Sequence, residues 1–477
     1  MYSRIFTFLL IAVFSGFSLF GQKKLSKNKQ VIISSVENHQ DELIKLSDEI
    51  WAYAETALQE SNSSKALANY AEKQGFKVER GVAEMPTAFI ASYGSGKPII
   101  GILGEFDALP GLSQKAQVEK EALEHGKPGH GCGHNLFGVG SFGAALAIKE
   151  LMEQGKIKGT IRFYGTPAEE TIGGKLYMAR AGLFDDLDVC LDWHPGAKME
   201  ASTQSTQALI DFRVRFYGKA AHAAFDPWNG TSAVDAMELY TTGVNYLREH
   251  VKPTVRIHYL MENAGDVVNV VPENAVIWTR VRDRDRDGML LVYEKVKKIA
   301  EGAALMTGTD YKIELISGMY EMLVNRTGAA ALQANMELLG PILYSNEEIE
   351  FARGIQKVTG KEQLGIDGKI NPLRETEPNP PGGSTDVGDV SWITPEISLS
   401  ATTAPIGTAW HSWAVVACGG MSIGHKGMIF SAKALALTMV DLFENEKLVA
   451  AMRSEFKERK GNVVYEPILP EGPPPVK

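Results

Sequence analysis

Thr160-Ile161-Arg162-Phe163-Tyr164-Gly165-Thr166-Pro167-Ala168-Glu169-Glu170 is the stretch that decides the fold. Its first five residues are β-branched or aromatic but for one arginine, which reads as a strand, and the run stops at Gly, Pro and two adjacent carboxylates. Residues 99–103 have the same build and end at Gly104-Glu105-Phe106-Asp107; residues 189–191 end at Asp192-Trp193-His194-Pro195. Helix-like stretches lie between them, among them the Gly-rich run 137–147. Strand and helix in alternation predict a mostly parallel α/β sheet, and such sheets place ligands at the C-terminal ends of their strands. Most of the polar residues with chemistry to offer fall just there.

Working outward, residues 29–56 read as a helix with Leu43, Leu46, Ile50 and Trp51 at helical spacing, and residues 62–75 as a second one. The texture changes near Thr206. Residues 209–217 alternate Ile210, Phe212, Val214 and Phe216 with Asp211, Arg213 and Arg215, the pattern of a half-exposed antiparallel strand. A β-α-β-β-α-β order follows, so residues 206–318 are expected to form an inserted ferredoxin-like α+β domain for dimerisation. It divides a catalytic domain into residues 28–205 and 319–445. Residues 446–477, charged and Pro-rich at 470–475, read as a weakly packed tail.

Composition narrows the class of protein. A net charge of −9 without a Lys/Arg-rich stripe argues against a nucleic-acid partner. Three cysteines, at 132, 190 and 418, do not make a disulfide framework. Arg4 followed by the apolar stretch 5–20 reads as a signal peptide over residues 1–21, which predicts an exported, periplasmic or secreted protein with no integral membrane association after cleavage. An uncleaved anchor is the weaker alternative.

Four clusters carry the chemistry: Gly131-Cys132-Gly133-His134, Pro167-Ala168-Glu169-Glu170, Asp192-Trp193-His194-Pro195 and Gly424-His425-Lys426-Gly427. Thiolate, imidazole and carboxylate are the donor set for Zn²⁺ or a similar divalent ion. Glu169-Glu170 offers one carboxylate more than a mononuclear site needs, and a spare carboxylate beside a metal is the usual general base for hydrolysis.

With Gly218-Lys219-Ala220-Ala221-His222 in the insert, these motifs resemble, in order and over roughly residues 30–445, the aminoacylase/carboxypeptidase-type dinuclear metallopeptidases. The nearest likeness is to the amidohydrolase branch that contains hippurate, auxin-conjugate and aminobenzoyl-glutamate hydrolases, and the late segment 411–428 is most similar to the last of these. The resemblance implies two divalent metal ions, Zn or Mn, bridged by Cys132, with His134, Glu170, His194 and His425 completing the ligands. It implies Glu169 as general base and Asp107 as the residue that orients a ligand histidine. It further implies that His222 stabilises the oxyanion, usually from the partner subunit, and that Asn269, Arg282, Ser384 and Thr385 contact substrate. Glu105 departs from the family pattern, which tends to have His or Asp there, and is left out of the ligand set. His411, beside Trp410, reads as substrate pocket or packing, and His130 as a loop residue.

The function expected is hydrolysis of the amide of a small N-acyl or N-aroyl amino acid. A dipeptidase or carboxypeptidase of the same fold is the alternative, and a noncatalytic solute-binding protein a second. A homodimer through the insert is expected, with a nonidentical subunit as a further option.

Overall fold

A computed structural model describes residues 25–376 and 383–476, so the expected signal peptide lies outside the described residues. Six strands precede the insert: β1 (Lys77–Arg80), β2 (Phe89–Ser95), β3 (Ile99–Glu105), β4 (Gly159–Thr166), β5 (Val189–Gly196) and β6 (Glu200–Ala201). The insert contributes β7 (Ala208–Tyr217), β8 (Arg256–Asn263), β9 (Asn274–Asp283) and β10 (Asp310–Met319), and β11 (Glu396–Thr402) returns to the first sheet. The larger sheet runs β1-β2-β4-β3-β5-β11-β6. Its centre, β4-β3-β5-β11, is parallel, and antiparallel pairings at β1, β2 and β6 flank it. This is the mostly parallel α/β sheet that the strand-helix alternation predicts.

Helix His134–Glu153 is buried along most of its length between that sheet and helix Ser422–Glu444. Glycines permit the close approach. A Cβ at Gly138 would meet the Glu105 carbonyl oxygen at 2.5 Å, and one at Gly140 the Trp193 ring at 2.9 Å. Phe142, Leu146 and Ile148 are fully buried on this helix, each worth roughly 2 kcal/mol of transfer free energy. The N-terminal helical stretch breaks at His39 into Lys27–Asn38 and Gln40–Tyr53.

The insert forms a four-stranded antiparallel sheet, β10-β7-β9-β8, with helices Ala233–Leu247 and Arg286–Thr307 packed on it. Its β-α-β-β-α-β order is the ferredoxin-like arrangement. β7 is a central strand and its first half is buried on both faces, because Leu209 and Asp211 look into a cleft under the sheet. β8 is the exposed edge.

The C-terminal residues depart from expectation. Residues 446–460 form helix Glu446–Lys460, and the largely exposed segment after it is tethered at several points. The Gly318 N–H donates to the Ile468 carbonyl at 2.7 Å, the Tyr465 hydroxyl to Asp389 at 2.9 Å, and Arg180 to the Pro470 and Gly472 carbonyls. Tyr465, Ile468 and Leu469 supply apolar anchors between the prolines, a feature that charge and Pro content alone conceal.

Candidate metal centre and active site

A cleft of about 610 Å³ lies between the C-terminal ends of the parallel strands and the sheet of the insert. Its floor includes Glu105, Cys132, Glu169, Glu170, Asp192 and His194, and its roof Asp211, Arg280, Arg282 and Ser317. Glu105, Asp192 and His194 lie at or near the C-terminal ends of β3 and β5, and Cys132, Glu169 and Glu170 on the loops that precede helices. Gly133, at φ 80°, is in the left-handed region that glycine favours, and it turns the chain so that Cys132 and His134 face one point. Ala168 (φ 62°) and His411 (φ 56°) hold the same conformation without being glycine. Such strain persists where surrounding structure over-determines it, typically at functional sites.

Two triads of potential ligand atoms share Cys132: Cys132–His134–His194 and Cys132–Glu170–His411. Glu105, His134 and Glu169 form a third, overlapping group. The His134 Nδ1–H donates to Asp107 Oδ1 at 2.8 Å, which leaves Nε2 turned into the cluster. The His194 Nδ1–H likewise donates to the Pro195 carbonyl at 2.7 Å and leaves Nε2 3.4 Å from Cys132 Sγ. Asp107 also accepts from the Glu170 N–H at 2.9 Å, so one buried carboxylate orients ligands of both triads.

The buried atoms fit divalent ions. His134 Nε2 and Glu170 Oε1 are buried without a hydrogen-bond donor, an arrangement that costs free energy unless a cation satisfies it. Burial pushes the Cys132 thiol up, against the pull of His134. Burial, with repulsion from Glu105 and Glu170, pushes the Glu169 carboxyl well up, and burial takes Glu170 to about 7. A cation held among them would oppose these shifts and favour the thiolate. Burial and the neighbouring His134 lower His194 to about 4, so it is a neutral imidazole, the form that ligates, at neutral pH.

The structure revises the last histidine. His425 is on helix Ser422–Glu444 and its Nε2 is 2.8 Å from Asp48 Oδ1 in a separate groove; it does not reach the cluster. His411 is there instead, with Nε2 3.4 Å from Glu170 Oε2 and its backbone N–H on the Gly131 carbonyl. His130 is a buried loop residue bonded to the Ile50 carbonyl. All three cysteines are buried and unpaired.

The residues expected to contact substrate divide in two. Arg282, Ser384 and Thr385 line the cleft. Arg282 has no ion-pair partner among the described residues, and Ser384 Oγ is buried without a partner. His222 and Asn269 do not line it. They are exposed neighbours at the tip of the insert, joined by a bridge between His222 and Val270 and by the Ala223 N–H on the Asn269 carbonyl.

Two groups escaped the sequence reading. Lys175 is fully buried between Glu105 and Asp386. Glu60 is buried with Oε1 on the Ala168 N–H and Oε2 on the Thr87 hydroxyl, and burial, then Asp107, raises it to about 8. Neither carries a local signal in the sequence: Glu60 stands between Gln59 and Ser61, and Lys175 between Gly174 and Leu176.

A buried cluster of metal-ligand type, with two triads sharing Cys132, a spare glutamate beside it and a roofed cleft above, defines a metal-dependent hydrolase. The comparisons agree. The model of peptidase family M20/M25/M40 matches residues 101–352. One of the two p-aminobenzoyl-glutamate hydrolase subunits of Escherichia coli K12 is 39% identical over 474 residues, which cover 94% of this chain and 98% of that protein. The Xaa-Arg dipeptidase of Mus musculus is 29% identical over 88% of this chain and 90% of its own. The crystal structure of a dinuclear metal-binding peptidase from Bacillus subtilis shares the fold, with a TM-score of 0.59 at 17% identity over 86% of this chain and 99% of that one. The chain belongs to peptidase family M20/M25/M40.

Proposed function

We propose that the protein hydrolyses the amide of an N-aroyl or N-acyl amino acid with an acidic amine product, an aminobenzoyl-glutamate-like conjugate. The observation that carries this is the pair of ligand triads sharing Cys132, with Glu169 beside them and the unpaired Arg282 overhead. Cys132, His134, His194, Glu170 and His411 would hold two divalent ions, Zn²⁺ or Mn²⁺. Such ions polarise the substrate carbonyl and make water acidic enough to attack near neutral pH. Glu169, the carboxylate left over beside these ligands, would remove a proton from that water and return it to the departing amine.

The roof favours an acidic product over the cationic one of a dipeptidase specific for arginine. Asp211 is the roof's carboxylate, and it is already engaged: Oδ1 accepts from Trp278 Nε1 at 2.6 Å and Oδ2 from Arg280 Nε at 3.0 Å. The free charge is that of Arg282, suited to a carboxylate.

His222 and Asn269 act, in this reading, on the neighbouring subunit of a homodimer. The exposed Phe225, Trp228 and Val268 beside them, and the exposed edge β8, support a dimer contact there. The E. coli hydrolase has two kinds of subunit, both similar to this chain, which also supports a nonidentical partner. Arg4 and the apolar stretch 5–20 support export. The test is turnover of aminobenzoyl-glutamate, hippurate and a dipeptide panel with and without EDTA. Chelator-sensitive turnover of aroyl-glutamates above Xaa-Arg dipeptides is expected; the reverse preference would sink the substrate assignment.

A further inference from the structure

Neither metal ligation nor proton transfer uses Lys175, yet its ammonium stands at the centre of the cleft's charge network. Nζ is 2.5 Å from Glu105 Oε1 and 2.6 Å from Asp386 Oδ1, and the second oxygen of Asp386 accepts the Lys175 backbone N–H at 3.0 Å. All three side chains are buried. Stability alone is a weak reason for such an arrangement, because buried ion pairs are often replaced by apolar packing at no loss.

Its two contacts lead in different directions. Glu105 ends β3 and points its other oxygen to within 3.0 Å of His134 Nε2, the atom turned into the metal cluster. Asp386 ends the loop that brings Ser384 and Thr385 to the cleft, and the Gly383 carbonyl of that loop accepts the Gln207 N–H next to the insert. One ammonium therefore joins the substrate-facing loop to the side chain against which a ligand imidazole rests.

We propose that Lys175 is a positioning residue with two tasks. It engages Glu105 so that this carboxylate, although beside His134, does not become an additional metal ligand. It also ties loop 383–386 to the metal centre through Asp386. Glu105 Oε2 already stands 3.0 Å from His134 Nε2, so a carboxylate released from Lys175 would be free to turn onto an ion held there and close a coordination position that hydrolysis needs open.

The proposal rests on the cleft being the hydrolytic site, but its first readout needs no substrate. Cobalt(II) titration of metal-free protein gives stoichiometry, affinity and the visible spectrum of the thiolate site. In Lys175→Met the released Glu105 should tighten cobalt binding about tenfold or more and shift the spectrum, while kcat falls at least about tenfold. In Glu105→Gln/Lys175→Met, which leaves no uncompensated charge on Glu105, cobalt affinity and spectrum should return to those of the unmodified protein. KM should stay raised about threefold or more in that double variant and in Asp386→Asn, because the loop has lost its tie. Should Lys175→Met fail to fold, the double variant and Asp386→Asn still decide the second task. Lowered melting temperatures with unchanged cobalt spectrum and KM in all folded variants would mark Lys175 as structural only and overturn the proposal.

Discussion

At the floor of the cleft, Cys132, His134 and Glu170 are buried or nearly so, and Asp107 fixes His134 and the backbone at Glu170 within a single chain. At the tip of the insert, His222 and Asn269 have the same kind of polar side chain but are exposed, and the His222 ring bonds only to the backbone of its own turn, at the Ala224 and Phe225 N–H groups. The floor is preorganised by burial before any substrate arrives. The tip has no such frame of its own. A residue that works from such a position must be given its surroundings by another surface, and this contrast is the physical argument for a site completed between subunits.

The sharpest way to break the contrast is at the floor. Glu169→Gln should keep metal content and fold yet lose about 10³-fold or more in kcat, whereas Cys132→Ser should lose metal as well as rate. Metal analysis beside steady-state kinetics checks both, and retained turnover in either would remove that residue from the mechanism. Next in size is the tip. His222→Ala should be nearly inactive with unchanged melting temperature, and mixing it with Glu169→Gln chains should restore about a quarter of the activity, since half of the dimers are mixed and one of their two sites is intact. Proven heterodimers without recovery would place His222 in its own chain's chemistry or in none.

A smaller effect separates the two histidines. His411→Ala should reduce metal affinity by about 100-fold or more, because a direct ligand is lost where losing even an outer contact costs about 10- to 100-fold. His425→Ala should leave metal content unchanged and cost at most about 1 kcal/mol, because its Asp48 pair is partly exposed. Isothermal titration with zinc distinguishes the outcomes. A pH-dependent effect belongs beneath the floor, at Glu60. Its folded-state value of about 8 lies above that of an unfolded glutamate, so the native state is favoured below the unfolded pKa and loses stability as pH rises toward 8. Glu60→Gln should therefore match the unmodified protein near pH 4 and melt higher by pH 8. A melting difference independent of pH would show that Glu60 is not held protonated.

The floor was largely legible in the sequence because its donors stand beside Gly or Pro and most of them, Glu169, Glu170 and His194 among them, closely follow a β-rich run, which places them at a sheet end. The same local reasoning misled at Gly424-His425. That pair lies in the first turn of helix Ser422–Glu444, and only the helix's direction, toward helix Gln40–Tyr53, decides which way the ring points. His411 lacked a strand before it and had tryptophans around it, so packing was the simpler reading. Lys175 and Glu60 were invisible for another reason: their partners Glu105, Asp386 and Ala168 are 70, 211 and 108 residues away in the chain. Pairings over such separations leave no periodicity to read. The insert was legible as a unit because alternation and element order are local properties, but the burial of β7 under the cleft was not.

The tethered C-terminal segment has a mechanical meaning. Gly318, which takes the Ile468 bond, lies at the end of β10 where the chain leaves the insert, and Tyr320, whose hydroxyl bonds the Glu466 carbonyl, lies just beyond it. The same segment is fastened to Asp389 and Arg180 of the catalytic domain. Any swing of the roof over the floor must bend the chain at this junction, and the strap lies across it. Residues 465–472 thereby splice the exit of the insert to the catalytic domain, so any such swing would have to stretch or break a few hydrogen bonds made some 150 residues downstream of the joint they cross.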